Sequence, residues 1–169
     1  MTVDGSRGLT MPGSEAWGTT PRGYLRAELT SGVGSGEAAW TAAGAALLEW
    51  GVKTRSGFSV TPPGVAVAGA RPMIVVRALG VSVREPVEVA EVVSTPLRVA
   101  LAYRTLPGHP VRGEEAFILH RAAEGGEFSL TLRSLTRPSD RFGWALAFPA
   151  LLAAQAVVRR RYFRALRER

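Results

Sequence analysis

LRVALAYRTLPGHPVRGEEAFILH, residues 97–120, decides how the rest of this chain is read. Two alternating runs flank Pro107, Gly108, His109 and Pro110. Alternation of period two marks a strand with one buried face, and a Pro-Gly pair between two such runs marks a turn. The stretch is therefore expected to be a β-hairpin. On its first run Val99, Leu101, Tyr103 and Thr105 share one face, and Arg98, Ala100, Ala102 and Arg104 the other. On its return run Glu115, Phe117 and Leu119 share a face, opposite Glu114, Ala116, Ile118 and His120. Burying the apolar faces together places Glu115 inward, near Tyr103 and Thr105, and turns Glu114 and His120 outward. The two histidines and two glutamates are close in sequence, but the hairpin separates them.

Outward from the hairpin, strand-like runs cover residues 23–30, 65–68, 73–79, 86–93 and 127–136. Each shows alternation or β-branched enrichment. Turn signals lie between successive runs at Gly69, Gly80, Ser94-Thr95-Pro96 and Gly125-Gly126. Such short connections predict an antiparallel meander. The glycine-rich GVGSG at 32–36 lacks the Gly-Lys-Ser/Thr of a phosphate loop and a complete GxGxxG. It reads as a turn, with Ser35 capping a helix over 37–50. Trp40, Ala43, Leu47 and Trp50 form that helix's apolar stripe, and Gly51 stops it.

FGWALAFPALLAAQAVV, residues 142–158, is uncharged over seventeen positions, the lower edge of a membrane span. Pro149, Gln155 and six alanines favour a core-packing helix instead. Its stripe is Trp144, Phe148, Leu151, Gln155, Val158, Tyr162 and Leu166, the 3.6 period of a helix laid on an apolar surface. Asp140 is placed to cap it, and Pro149 sets the start of its regular part near Phe148. Arg159, Arg160, Arg161, Arg164, Arg167 and Arg169 crowd its last turns, where cations suit the helix dipole. Contact with nucleic acid or an anionic surface through these arginines is the open alternative.

The 169 residues suit one domain, residues 23–169, after an irregular arm over 1–22 that Leu9 and Trp17 are expected to tack down. There is no cysteine, which excludes disulfides, thiol catalysis and cysteine-type zinc sites. Net charge is +7, and Lys53 is the only lysine among twenty-one basic residues. Basicity without a recognition motif is weak evidence for nucleic-acid binding. A bias to Arg, Ala, Gly and Val is also what GC-rich, bacterial-type coding produces. No secretory signal opens the chain, and a cytoplasmic protein is expected. No cofactor is expected, and no metal site, since His109 belongs to a turn and His120 faces outward. Oligomeric state is not legible.

The order of elements predicts an α+β fold: a curved antiparallel sheet of about six to seven strands wrapped around a long C-terminal helix. This is a helix-grip arrangement, in which a cavity between sheet and helix is a common ligand site. The chain also resembles the uncharacterised DUF1990 family. The residues that carry the resemblance are GLT and WGTT within 8–20, GSGEAAW and LLEW within 34–50, TLPGHPVRGEEAFIL at 105–119, and SLTRPSD, AFPALLAAQ and RRYFRAL within 134–166. Arg104 stands where the family more often has glycine. The resemblance implies, by analogy, the shape of START- and Bet v 1-like proteins, which include lipid carriers and polyketide cyclases. It implies no activity, and shape alone does not fix one.

Three roles for the hairpin remain open. The turn and Glu115 can be scaffold, with Glu115 pairing an arginine such as Arg112. A cavity can bind a small apolar or amphipathic molecule, lined by Tyr103, Thr105, His109, Glu115, Phe117, Trp40 and Trp144. Or His109 and Glu115 can act as a general acid/base pair on a carbonyl-bearing substrate, in an enzyme of cyclase or hydrolase type.

Overall fold

A computed structural model describes residues 8–78, 80–123 and 126–167. Leu79, Gly125, Arg169 and the first seven residues of the arm, all part of the expectations above, lie outside them.

Seven antiparallel strands form one sheet. In chain order the elements are β1 (Leu25–Ser35), α1 (Glu37–Leu48), α2 (Gly51–Thr54), β2 (Phe58–Thr61), β3 (Met73–Ala78), β4 (Val81–Thr95), β5 (Arg98–Thr105), β6 (Val111–Arg121), β7 (Glu127–Pro138), α3 (Phe142–Leu146) and α4 (Phe148–Ala165). The strand order is β1-β7-β6-β5-β4-β3-β2, so β2 to β7 run as a meander and β1 pairs with β7. The long C-terminal helix lies on the concave face, and this is a helix-grip fold.

The hairpin has the expected register, with Tyr103 opposite Glu115 and Leu101 opposite Phe117. Five local expectations differ. Asp140 caps neither α3 nor α4, which follow Arg141 and Ala147 without a side-chain cap. The glycines at 32–36 mostly continue β1, with a bulge between Gly32 and Gly34. Gly36, not Ser35, precedes α1 and supplies no side-chain cap. Residues 65–68 are not a strand. β2, which was not expected, pairs with β3 instead. Pro149 does sit in the first turn of α4.

The sheet's faces are covered by different means. The concave face buries Leu101, Tyr103, Phe117, Leu119, Leu130 and Leu132 against α1, α2 and the end of α4. The convex face carries small residues, with Ala100, Ala102, Ala116 and Ile118 fully buried. Here the arm is the cover, and its anchors are polar. Glu114 accepts bonds from the Thr10 amide and hydroxyl at 2.7 and 2.6 Å. Arg133 donates to the carbonyls of Thr10, Met11, Ser14 and Glu15. Glu91 accepts from the Gly8 amide. Glu114 points away from the helix, as alternation requires, yet it is buried because the arm lies over it. Leu9, expected as a tack, is half exposed. Carboxylate and guanidinium groups hold irregular backbone well because they satisfy its otherwise unpaired amides and carbonyls.

Candidate functional site

The concave face is interrupted by a charged pair, and the chain's only lysine supplies its cation. Between α1 and α2 stands Trp50, whose backbone is left-handed (φ 63°), an uncommon state for a bulky residue. A side chain on the next residue would bring its Cβ within 2.5 Å of the Ala46 carbonyl oxygen, so Gly51 is required. This tight junction starts α2 and turns Lys53 inward beneath the sheet. The Lys53 side chain is 5 % exposed.

Its ammonium donates to the Tyr162 hydroxyl at 2.6 Å and lies 3.0 Å from Glu115 Oε2. The Tyr103 hydroxyl also donates to Glu115 Oε2. Four rings surround the ammonium: Phe58 and Tyr162 with centroids at 4.8 Å, Tyr103 at 5.2 Å and Phe117 at 5.8 Å. A buried ammonium is costly unless paired, and ring faces add cation–π attraction. Burial pulls the Lys53 pKa down, but Glu115, Tyr103, Tyr162 and Glu85 together outweigh it and the net shift is well upward. Burial pushes Glu115 up, but the Lys53 charge and the bonds from Tyr103 and Lys53 bring it below its ordinary value. Burial and the Glu115 charge raise the Tyr103 hydroxyl. The Tyr162 hydroxyl also rises, chiefly through burial. Glu85, on β4, is raised mainly by burial, with Lys53 opposing. Near neutral pH the site is therefore a fixed ammonium–carboxylate pair flanked by neutral phenols. It can donate and accept hydrogen bonds, but a protonated Lys53 is not a nucleophile.

The structure joins some sequence candidates to this site and leaves others apart. Tyr103, Glu115 and Phe117 belong to it; Phe117 packs edge-on to Tyr162 with centroids 5.1 Å apart. The Thr105 hydroxyl accepts the Gly113 amide and so fastens the hairpin. His109 is buried in the turn and its Nδ1 accepts the Val111 amide at 3.1 Å. Burial and the Lys53 charge bring its pKa down to about 4. His109 is thus a neutral turn residue, and its hydrogen bond goes to Val111 rather than to Glu115. Arg112 pairs with Asp140, so the partner of Glu115 is Lys53 instead. Trp40 packs edge-on to Phe128 beside Arg121. Phe128 lies opposite Arg121, six residues along β6 from Glu115, or about 20 Å at strand rise. Trp144 is half-buried on α3. Arg104, at the position where glycine was the family's commoner residue, pairs with Glu88 across β4 and β5.

Sequence reasoning passed over Lys53. The available signal was that one lysine persists where every other basic residue is arginine. It also read Tyr162 and Gln155 only as members of a helix stripe. Gln155 Oε1 on that stripe and Arg159 Nε one turn further along α4 are shielded from solvent and have no hydrogen-bond partner among the described residues. Arg159 is close enough to Glu115 to lower its pKa. Opposite Glu115 and Gly113 on β7 lie Ser134 and Thr136, whose buried hydroxyls bond to each other at 3.0 Å.

Residues 9–165 match the family model described as a domain of unknown function, DUF1990. The chain belongs to the DUF1990 family. A protein of Deinococcus radiodurans named only as a UPF0548 protein is 37 % identical over 150 residues, covering 79 % of this chain and 72 % of its own. Solved structures are similar at the level of fold. A hypothetical protein of Helicobacter pylori aligns with TM-score 0.59 at 9 % identity, over 85 % of this chain and 84 % of its own. The ginseng major latex-like protein 151 aligns with TM-score 0.50 at 12 % identity, over 83 % and 96 %. Among the described residues no helix is long and apolar enough to cross a membrane.

Proposed function

We propose that this DUF1990 protein binds a small amphipathic molecule in the seam between α4 and the concave face, with the Lys53–Glu115 cluster as its polar floor. The observation that carries this is the pair of unpartnered, solvent-shielded polar atoms, Gln155 Oε1 and Arg159 Nε, one helical turn apart on α4. A shielded polar atom without a partner costs on the order of 1–3 kcal/mol, so such a pair is retained most readily where a ligand completes it. One atom accepts and the other donates. A hydroxyl or amide head satisfies both at once.

The apolar share of the ligand has a place beside them. Leu25 and Leu29 of β1 lie in the concave rows of Thr136 and Leu132, yet are 54 % and 42 % exposed. Along α4 only Tyr162 is fully buried. The helix grips the sheet at its C-terminal end, while its N-terminal half leaves apolar surface accessible on both sides of the seam.

Titration of the purified protein with decanol and decanoic acid, followed by thermal unfolding, tests the proposal. A saturable rise in melting temperature is expected, larger for the alcohol, and Gln155→Leu and Arg159→Met should fold normally but lose it. Absence of any rise across medium-chain alcohols, acids and amides overturns the proposal, as does an undiminished rise in both variants.

A further inference from the structure

A second feature of α4 lies away from the seam. The helix's last turns and the start of α1 bound an open cleft of about 740 Å³. Arg55, Arg161, Arg164 and Arg167 line it. Its remaining wall is Leu166 and four alanines, Ala39, Ala42, Ala43 and Ala165, and among the described residues no acidic side chain lines it. Arg161, Arg164 and Arg167 recur every third residue, so they follow one ridge, while Arg55 approaches from the end of α2.

We infer that this cleft is a binding site for a phosphate-bearing anion, separate from the amphipathic seam. Dipole capping accounts for only part of the cluster. Arg55 Nη1 donates to the Ala165 carbonyl at 3.1 Å, as a C-terminal cap would. Arg167 donates sideways to the Ser31 hydroxyl at 3.1 Å, which fixes it at the rim. Among the described residues the ion pairs use none of these four arginines. Four guanidinium groups around one space repel each other unless an anion lies between them. Their planar forks match phosphate oxygens two at a time, which a lysine cluster would not do. The alanine floor keeps the space open, and its volume is that of a small-molecule site.

Isothermal titration of the full chain with inorganic pyrophosphate at low salt tests the inference. Saturable binding at one site per chain is expected, weakening as salt rises. The double variant Arg161→Gln/Arg164→Gln should lose affinity by about tenfold or more. Its melting temperature should be unchanged or higher, since like charges have been removed. Arg141→Gln, an exposed arginine outside the cleft, should hold affinity within about twofold. An equal loss in Arg141→Gln would show a net-charge effect and overturn the site, as would unsaturable heats or unchanged affinity in the double variant. A parallel arm uses vesicles containing phosphatidic acid. Pyrophosphate that displaces the protein from them supports a phosphate pocket. Retention on vesicles without pyrophosphate binding refutes it in favour of a surface contact.

Discussion

Glu114 and Glu115 are neighbours in the chain and opposites in the fold. Glu115 lies on the concave face, ion-paired to a buried lysine and bonded to Tyr103. Glu114 lies on the convex face, where it accepts a backbone amide and a hydroxyl from Thr10. The histidines divide as well: His109 is buried in the turn within charge reach of Lys53, while His120 is half-buried on the convex face and bonded to Thr131 at 2.8 Å. The difference teaches that a buried carboxylate in this protein has two uses. On one face it balances the charge of a buried lysine; on the other it substitutes for missing secondary structure in the arm.

The sharpest way to break this contrast is at Gly113, which precedes both glutamates. A Cβ there would stand 1.7 Å from the Leu135 carbonyl oxygen, a backbone atom that cannot step aside. Gly113→Ala is expected to cost more than about 4 kcal/mol or to prevent folding, as seen by urea unfolding, because it disturbs both faces together.

Lys53→Met tests the concave face alone. It leaves Glu115 buried and unpaired, and a loss of about 3–5 kcal/mol is expected. Adding Glu115→Gln should recover much of it, and a double-mutant cycle measures the coupling. Additive losses would show that the pair does not act as a unit.

The turn histidine gives a pH signature. His109 titrates near 4 when folded against 6.5 unfolded. The unfolded chain therefore binds the extra proton between those values, so stability falls as pH drops from 6.5 to 4 and this contribution levels off below. A lowering of that size corresponds to about 3 kcal/mol. His109→Gln should remove that portion of the acid slope. Glu115 adds to the slope at lower pH: its folded pKa is depressed, so its contribution is present above the ordinary carboxylate value and is lost as pH falls through the folded one.

Glu114→Ala is the smallest and most local effect. Loss of two charge-assisted bonds should cost about 2 kcal/mol and expose residues 8–16 to protease, with the concave cluster intact. Glu115→Ala should leave the arm protected. Arm release by Glu115→Ala would dissolve the distinction between the faces.

The alternation of residues 97–120 made much of this fold legible. It assigned Tyr103, Glu115 and Phe117 to one face and Glu114 to the other, since side-chain direction in a strand follows position alone. The inward stripe of α4 was legible for the same kind of reason, from the helical period. Lys53 was not. It sits on a four-residue helix too short to carry a period, and meets Glu115 and Tyr162 only because three distant segments converge. The arm's anchors were equally hidden, because Arg133 binds carbonyls, which every residue has.

By itself, then, the sequence determined the curved antiparallel sheet, the gripping helix and the DUF1990 family, because periodicity and turn residues act locally. The tertiary structure alone decided that the one lysine lies under the sheet, that Glu114 is buried beneath the arm, and that Gln155 and Arg159 hold solvent-shielded polar atoms without partners. Those facts depend on distances between segments up to more than a hundred residues apart, such as Lys53 and Tyr162, which only the packed chain sets.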